Sequence, residues 1–324
     1  MTRCLALADA LATLGWTCSF AITQETLEFL YGQPLSRYGR IAISGPLAEA
    51  EELRAAVQET CDLLVIDSYQ IDVAFERRAK GWASATLVVE DVPTRQHDCD
   101  FLLDQTLGRT RPDYGMNLPE SCVTFLGPHF ALLRRDVVEW RSRSLARNRS
   151  RCLRLFVSFG GADSDGWTAK LLGLLDPLPL GLTLDIVLNR SSSTFQKALD
   201  SAGRLGERAR VWINPRSIAG LMAEADLAIG AGGVTSWERC CLGVPSLVIV
   251  IAENQRETAE SLEAAHAARQ IFSARLNRRT LLKAIGDVNL REMSCAAARI
   301  CDGKGADRVA SELFGIPFSP KGLT

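Results

Sequence analysis

Residues 226–245 read DLAIGAGGVTSWERCCLGVP, and this stretch decides the fold. A short apolar run, Leu227, Ala228 and Ile229, breaks into Gly230, Gly232 and Gly233, and helix-period residues follow from about Val234. Strand, glycine turn and helix in that order make up most of a βα unit. Glycines let a backbone approach a ligand closely, and unpaired N–H groups at a helix start attract phosphate. Thr235 and Ser236 add hydroxyls at the same end. Glu238, in the first turns of the helix, brings a carboxylate that can accept two hydrogen bonds from a vicinal diol such as a ribose. A tight strand–helix crossover with a helix-stabilising glutamate is the competing account. Glycines, hydroxyls and a carboxylate gathered at one helix start favour phosphate and ribose binding.

Outward from this unit, apolar runs alternate with helix-period segments along almost the whole chain, the pattern of an α/β protein with parallel sheets. In the first half the runs predict strands at 16–21, 63–67, 86–90, 100–103 and 122–125, with helices at 1–14, 48–60 and 73–82. In the second half strands are expected at 153–159, 182–188, 210–213, 227–229 and 246–251. Helices are expected there at 166–175, 195–205, 217–225, 234–242 and 254–268. Between the halves lies RRDVVEWRSRSLARNRSR, residues 134–151, which reads as a charged connecting helix on the surface. The expected division is therefore a Rossmann-like domain over 1–148 and a second over 149–324, with a ligand cleft where their strand C-terminal ends face each other. The first helix begins where a βα unit should already be half complete, so the first strand of the N-terminal domain is expected to be missing.

Composition narrows the function. Of 324 residues, 47% are apolar and 23% charged, an ordinary globular balance. Lys and Arg number 37 against 38 Asp and Glu, which argues against a dedicated nucleic-acid binder, whose affinity comes mainly from phosphate neutralisation. No apolar run is long enough for a spanning helix, and the start lacks the layout of a signal peptide, so a cytoplasmic protein without a membrane partner is expected. The ten cysteines include no CxxC pair and read as small buried thiols. Only three histidines are present, far apart in sequence, so no metal site is expected. His97 and His129 read as surface or packing residues, and His266 as a structural residue well along its helix.

A second glycine turn, SFGGAD at 158–163, follows the strand that opens the second half. Its Gly160 and Gly161 either offer N–H groups to the other side of the same ligand or simply turn the chain. Neither turn matches the dinucleotide or P-loop pattern. Asn254 and Gln255 follow the strand at 246–251 and serve either as ligand contacts or as a helix cap. Asp67, Ser68 and Tyr69 end the strand at 63–67, and Glu90 and Asp91 occupy the same place after Leu87–Val89. Strand-end carboxylates usually face the ligand crevice, with caps and surface turns as the plainer alternative.

Taken together, WERCCLGVP, ENQRETA, RCLALADAL, LLVIDSY, HDCDFLLDQT, FLGPHFALLR and VSFGGAD resemble, in order and over nearly the whole chain, one enzyme family. These are the UDP-2,4-diacetamido-2,4,6-trideoxy-β-L-altropyranose hydrolases of pseudaminic acid biosynthesis, which supply a sugar for flagellin glycosylation. The resemblance implies two Rossmann-like domains, similar to B-type glycosyltransferases, with UDP held mainly by the second. It also implies cofactor-free and metal-free attack of water on the anomeric carbon. Carried over by position, Gly232, Gly233, Thr235 and Glu238 would hold diphosphate and ribose, with Ser236, Gly160, Gly161 and Gln255 beside them. Tyr69 and Asn254 would lie near the sugar and the scissile bond, with Asp67 and Asp91 supporting the pocket walls. The family opens with G-x-G-H-x-x-R-C, whose histidine is its proposed general base. Arg3 and Cys4 match the final R-C, and the histidine would fall immediately before Met1. A general base contributes about 10²–10⁴-fold, so the chain as written is expected to be impaired. Glu90, Thr106 and Asn189–Arg190 replace the family's usual aspartate, asparagine and glycine. A glycosyltransferase on the same scaffold and a non-catalytic UDP-sugar-binding protein are the alternative readings.

Overall fold

The computed structural model describes residues 1–23, 35–45, 50–57, 61–161 and 163–315. The chain divides into two compact units, Met1–Arg134 with Lys304–Thr324, and Arg135–Gly303.

The first unit opens with helix α1 (Thr2–Thr13), closed by Gly15 at φ 90°. Parallel strands β1 (Ser19–Ile22) and β2 (Gly39–Ala42) pair with each other. Helix α2 (Ala50–Val57) is the described part of the helix expected over 48–60. A four-stranded parallel sheet follows, β3 (Cys61–Ile66), β4 (Ala83–Val89), β5 (Phe101–Asp104) and β6 (Val123–Leu126), in sequence order. Helix α3 (Val73–Ala79) crosses from β3 to β4 and is capped by Asp72, which accepts from the Phe75 N–H at 3.0 Å. Leu7 and Leu11 of α1 join the core of Leu87, Val89 and Leu103, while Leu5 and Ala8 on its other side pack with Phe20 and Ile22. The helix is thus buried on two faces, which explains its nearly continuous apolar sequence.

The second unit begins with α4 (Arg135–Leu145) and builds a six-stranded parallel sheet in the order β12-β11-β10-β7-β8-β9. In chain order its elements are β7 (Arg154–Ser158), α5 (Trp167–Leu175), β8 (Thr183–Leu188), α6 (Phe195–Arg204) and β9 (Ala209–Ile213). The chain then returns across the sheet through α7 (Ala219–Ala223), β10 (Leu227–Ala231), α8 (Thr235–Cys241), β11 (Ser246–Ile249), α9 (Arg256–Ala264) and β12 (Arg269–Ile271). Helices α10 (Arg278–Asp287) and α11 (Leu290–Ile300) complete it. β10 and β11 are buried throughout, which is why they read as unbroken apolar runs. The strand order reverses between β7 and β10, so the ligand crevice of such a sheet opens at their C-terminal ends. The last helix, α12 (Gly305–Phe314), returns to the first unit, where Val309, Ala310 and Leu313 pack with Leu7 and Leu11.

The compact units meet at residue 134 rather than near 148, and the arginine-rich stretch is not a solvated connector. Arg141 donates to the carbonyls of Cys241, Cys301 and Ala298, so α4 is tied to the second unit. Arg149 is wholly buried and donates to Ala225 O, Ala223 O, Ser144 O and Ser144 Oγ. Arg147 donates twice to Asp226 Oδ1, at 3.0 and 2.8 Å. The helix expected over 254–268 ends at Ala264; His266 is exposed, with φ 56°, and marks the stop before β12. Five of the ten cysteines are buried, including Cys99 and Cys122 with sulfurs 3.8 Å apart. No helix among the described residues is long and apolar enough to cross a membrane.

Asp226 carries a testable load. Its Oδ2 accepts from the Leu153 and Arg154 N–H groups, both at 2.9 Å, fastening the start of β7 to the start of β10. Asp226→Ala would strand two backbone donors and the Arg147 guanidinium, a loss of about 3 kcal/mol. Urea unfolding should show it as a lower midpoint; a stability within about 0.5 kcal/mol of wild type would contradict this role.

Candidate functional site

At the strand-order reversal of the second unit, the two glycine turns lie side by side. Gly230 is paired in register with Ser158, the last residue of β7. A Cβ on Gly230 would sit 2.1 Å from the Ser158 carbonyl oxygen, so only glycine allows this approach. The turn after β7 uses Gly160 at φ 85°. Asp163 closes it, accepting from the Trp167 and Thr168 N–H groups at 2.8 and 3.2 Å and so starting α5. A Cβ on Gly160 or Gly233 would meet nothing within 4 Å, so both turns present an open backbone face.

The neighbouring side chains hold the second turn in shape. Gln255 Oε1 accepts from the Gly232 N–H at 3.2 Å and the Ile251 N–H at 3.4 Å, tying the turn to the chain after β11. Gly232 packs so closely on Gln255 that a Cβ would lie 3.1 Å from its carbonyl oxygen. Thr235 is half-buried at the start of α8, while Ser236 and Glu238 are buried. The Ser236 N–H donates to Gly233 O at 2.9 Å. Asn254 is exposed in a short turn before α9, whose cap position is Gln255, so Asn254 does not serve as that helix cap. Arg239 was not singled out from sequence. It is buried in α8 and donates through Nη2 to Ala231 O and Ser236 Oγ, both at 2.9 Å.

In the first unit, the C-terminal ends of β3, β4 and β5 carry a network of carboxylates and arginines. The exposed Tyr69 donates its hydroxyl to Asp91 Oδ1 at 2.6 Å. Burial pushes the Asp91 carboxyl above the usual range, the Tyr69 hydrogen bond and the Arg3 charge oppose this, and Glu90 and Asp104 reinforce it. The Asp67 carboxylate receives Arg3 at 2.6 and 3.0 Å, with the Met1 amino group and the Cys4 thiol each at 3.1 Å. Burial alone would raise its pKa, but Arg3 and the amino group hold it well below the ordinary range. Arg95 bonds Glu90 and the Tyr69 and Ile71 carbonyls, stapling the loop after β3 to the loop after β4. Arg109 joins Asp104 to Asp91 O, the latter at 3.1 Å, and Tyr114 donates to Asp104 at 2.8 Å.

His97 is neither a surface residue nor simple packing. It is buried, with Nδ1 2.7 Å from Glu76 Oε1 and Nε2 3.5 Å from Glu90 Oε2. Burial alone would lower its pKa; the hydrogen bonds and charges of both glutamates reverse that and bring it to about 9. Glu90 in turn accepts from the Asp91 and Val92 N–H groups at 2.9 and 3.0 Å, so this ion cluster fixes the Asp91 loop. None of these partners is legible in sequence, because they lie 7 to 21 residues away on different elements.

Residues 196–313 match the model of the glycosyltransferase family 28 C-terminal domain. The chain is 27% identical over 203 residues to the UDP-2,4-diacetamido-2,4,6-trideoxy-beta-L-altropyranose hydrolase of Campylobacter jejuni, a match spanning 62% of this chain and 71% of that one. It is 32% identical over 112 residues to the spore coat polysaccharide biosynthesis protein SpsG of Bacillus subtilis, spanning 34% of this chain and 33% of that protein. The crystal structure of Acinetobacter baumannii MurG aligns with a TM-score of 0.66 at 14% identity, over 97% of this chain and 95% of that one. The chain therefore has the parallel α/β architecture of B-type glycosyltransferases, built from two Rossmann-like units, and its resemblance to the altropyranose hydrolases is borne out.

The His97 cluster predicts a pH dependence. With a folded pKa of about 9 against 6.5 unfolded, the charged imidazole stabilises the fold fully below pH 6.5, and that contribution is lost as pH rises through about 9. Thermal unfolding between pH 6 and 10 should show wild type losing on the order of 3 kcal/mol that His97→Gln never had. Parallel profiles for the two proteins would contradict a charged His97.

Proposed function

We propose that the chain is a nucleotide-sugar hydrolase that cleaves a UDP-linked 2,4-diacetamido-2,4,6-trideoxy sugar to UDP and the free sugar. One observation carries the reading: two glycine turns with open backbone faces meet at the strand-order reversal, beside Thr235, Ser236 and Glu238. Backbone N–H groups of Gly160, Gly161 and Gly233, with the Thr235 and Ser236 hydroxyls, suit a diphosphate, while the Gly232 N–H is taken by Gln255. Glu238 suits the ribose diol, and Gln255 holds the second turn in position. The similarity to the Campylobacter jejuni UDP-2,4-diacetamido-2,4,6-trideoxy-beta-L-altropyranose hydrolase supports the sugar class.

The reaction forms a bond from a water oxygen to the anomeric carbon as the bond to the phosphate oxygen breaks, releasing one proton and UDP. In this proposal Asn254 contacts the sugar side of that centre. Asp91 orients the Tyr69 hydroxyl through its 2.6 Å hydrogen bond, and Asp67 fixes the strand end from which Tyr69 projects. The match of residues 196–313 to a glycosyltransferase family model favours transfer to an acceptor as the second reading.

UDP release measured without any acceptor separates these readings. Turnover in water alone supports the hydrolase. Release only on adding an acceptor favours transfer, and UDP affinity without release favours a binding protein. Glu238→Ala should weaken UDP binding by about 1.5–3 kcal/mol, roughly 10–100-fold, through loss of a charge-assisted diol contact. Unchanged affinity in a titration calorimeter would remove Glu238 from the site.

A further inference from the structure

Two guanidinium groups in the second unit are wholly buried, and they are treated differently. Arg149 has acceptors for Nε, Nη1 and Nη2, all carbonyl or hydroxyl oxygens of one cluster. Arg239 has two acceptors, both on Nη2, and its Nε is buried without an acceptor among the described residues. No carboxylate forms an ion pair with it among the described residues. Its Nη1 lies 3.1 Å from where a Cβ on Gly230 would stand, so the charge sits directly behind the glycine turn. Burial lowers the Arg239 pKa to about 10, which still leaves it cationic at neutral pH.

A buried cation with no ion-paired carboxylate costs stability, which the charge of neighbouring Glu238 offsets only in part, and such a charge is retained where something compensates it. We propose that the compensating charge is the diphosphate of the nucleotide, and that Arg239 is a positioning residue for it. Arg239 holds the Ala231 carbonyl and the Ser236 hydroxyl, which fixes the two ends of the turn. Its positive charge acts across that turn on the bound anion, in surroundings of low dielectric where the attraction is strong. This inference rests on the proposal that the site takes UDP. It goes beyond that proposal in assigning charge recognition to a residue that never reaches the ligand surface.

The test compares UDP with uridine, which lacks the diphosphate. Arg239→Met keeps the volume and removes the charge. It should weaken UDP binding at least tenfold, leave uridine binding within twofold, and leave the unliganded protein no less stable than wild type. A purely structural Arg239 predicts lower unliganded stability and equal losses for both ligands, which would overturn the inference. Arg239→Lys provides a second readout should the methionine variant fold poorly. A buried lysine loses its proton readily, so UDP affinity in that variant should fall as pH rises from 7 to 9, while wild type stays flat. A flat profile in Arg239→Lys would also overturn the inference. Wild-type protein with no affinity for UDP would overturn the nucleotide reading and this inference together. Wild-type affinity preserved in Arg239→Met would overturn the inference alone.

Discussion

The second unit turns on a contact between two strand ends, the main chain of Gly230 against the carbonyl of Ser158. β7 is the first strand of its sheet and β10 the fourth, yet they are neighbours because the chain reverses its direction of travel across the sheet between them. That reversal leaves no helix crossing directly over their C-terminal ends, so the loops there are free to face a ligand. A side chain at 230 would push the strands apart at the point where both turns begin. From this constraint follow the adjacency of the glycine turns, the docking of Gln255 against Gly232, and the burial of Arg239 behind them. Asp226 secures the opposite end of the same strand pair, so the register at the site is held from both sides.

The first unit solves a different problem, holding several carboxylates together at the ends of neighbouring strands. Like charges so close would repel, and the network is neutralised locally by Arg3, Arg95, Arg109 and the protonated His97. Arg95 and Arg109 also bond backbone and His97 reaches a second carboxylate, so the loops bearing Tyr69 and Asp91 inherit the rigidity of the ion pairs. Asp91 stands apart from its neighbours: its pKa is raised, while Asp67 and Glu90 are held below their ordinary values. Such separation of pKa values among adjacent carboxyl groups is what acid–base chemistry requires.

What the sequence revealed depended on how local the determinant was. β10 and its helix were legible because an apolar run, glycines and a helix-period segment lie within one stretch of chain. β2 was missed because its four residues are mostly exposed and carry no alternation. β12 was missed because it is only three residues long and only two residues separate it from the stop at His266. The arginine-rich stretch misled because composition reports charge, and the acceptors of Arg141 and half of those of Arg149 are main-chain carbonyls contributed by other elements. At the site, the glycines, Thr235, Ser236 and Glu238 could be read from spacing. Arg239 could not, since a lone arginine in an apolar helix shows neither its burial nor the oxygens it reaches.

The central claim is that the paired glycine turns are where the nucleotide diphosphate binds. Amide hydrogen exchange on the full chain, with and without saturating UDP, tests it most directly. The account predicts that UDP slows exchange at residues 159–161 and 232–236 together, with less protection from uridine. Protection by UDP confined to other segments, with both turns unaffected, would contradict it.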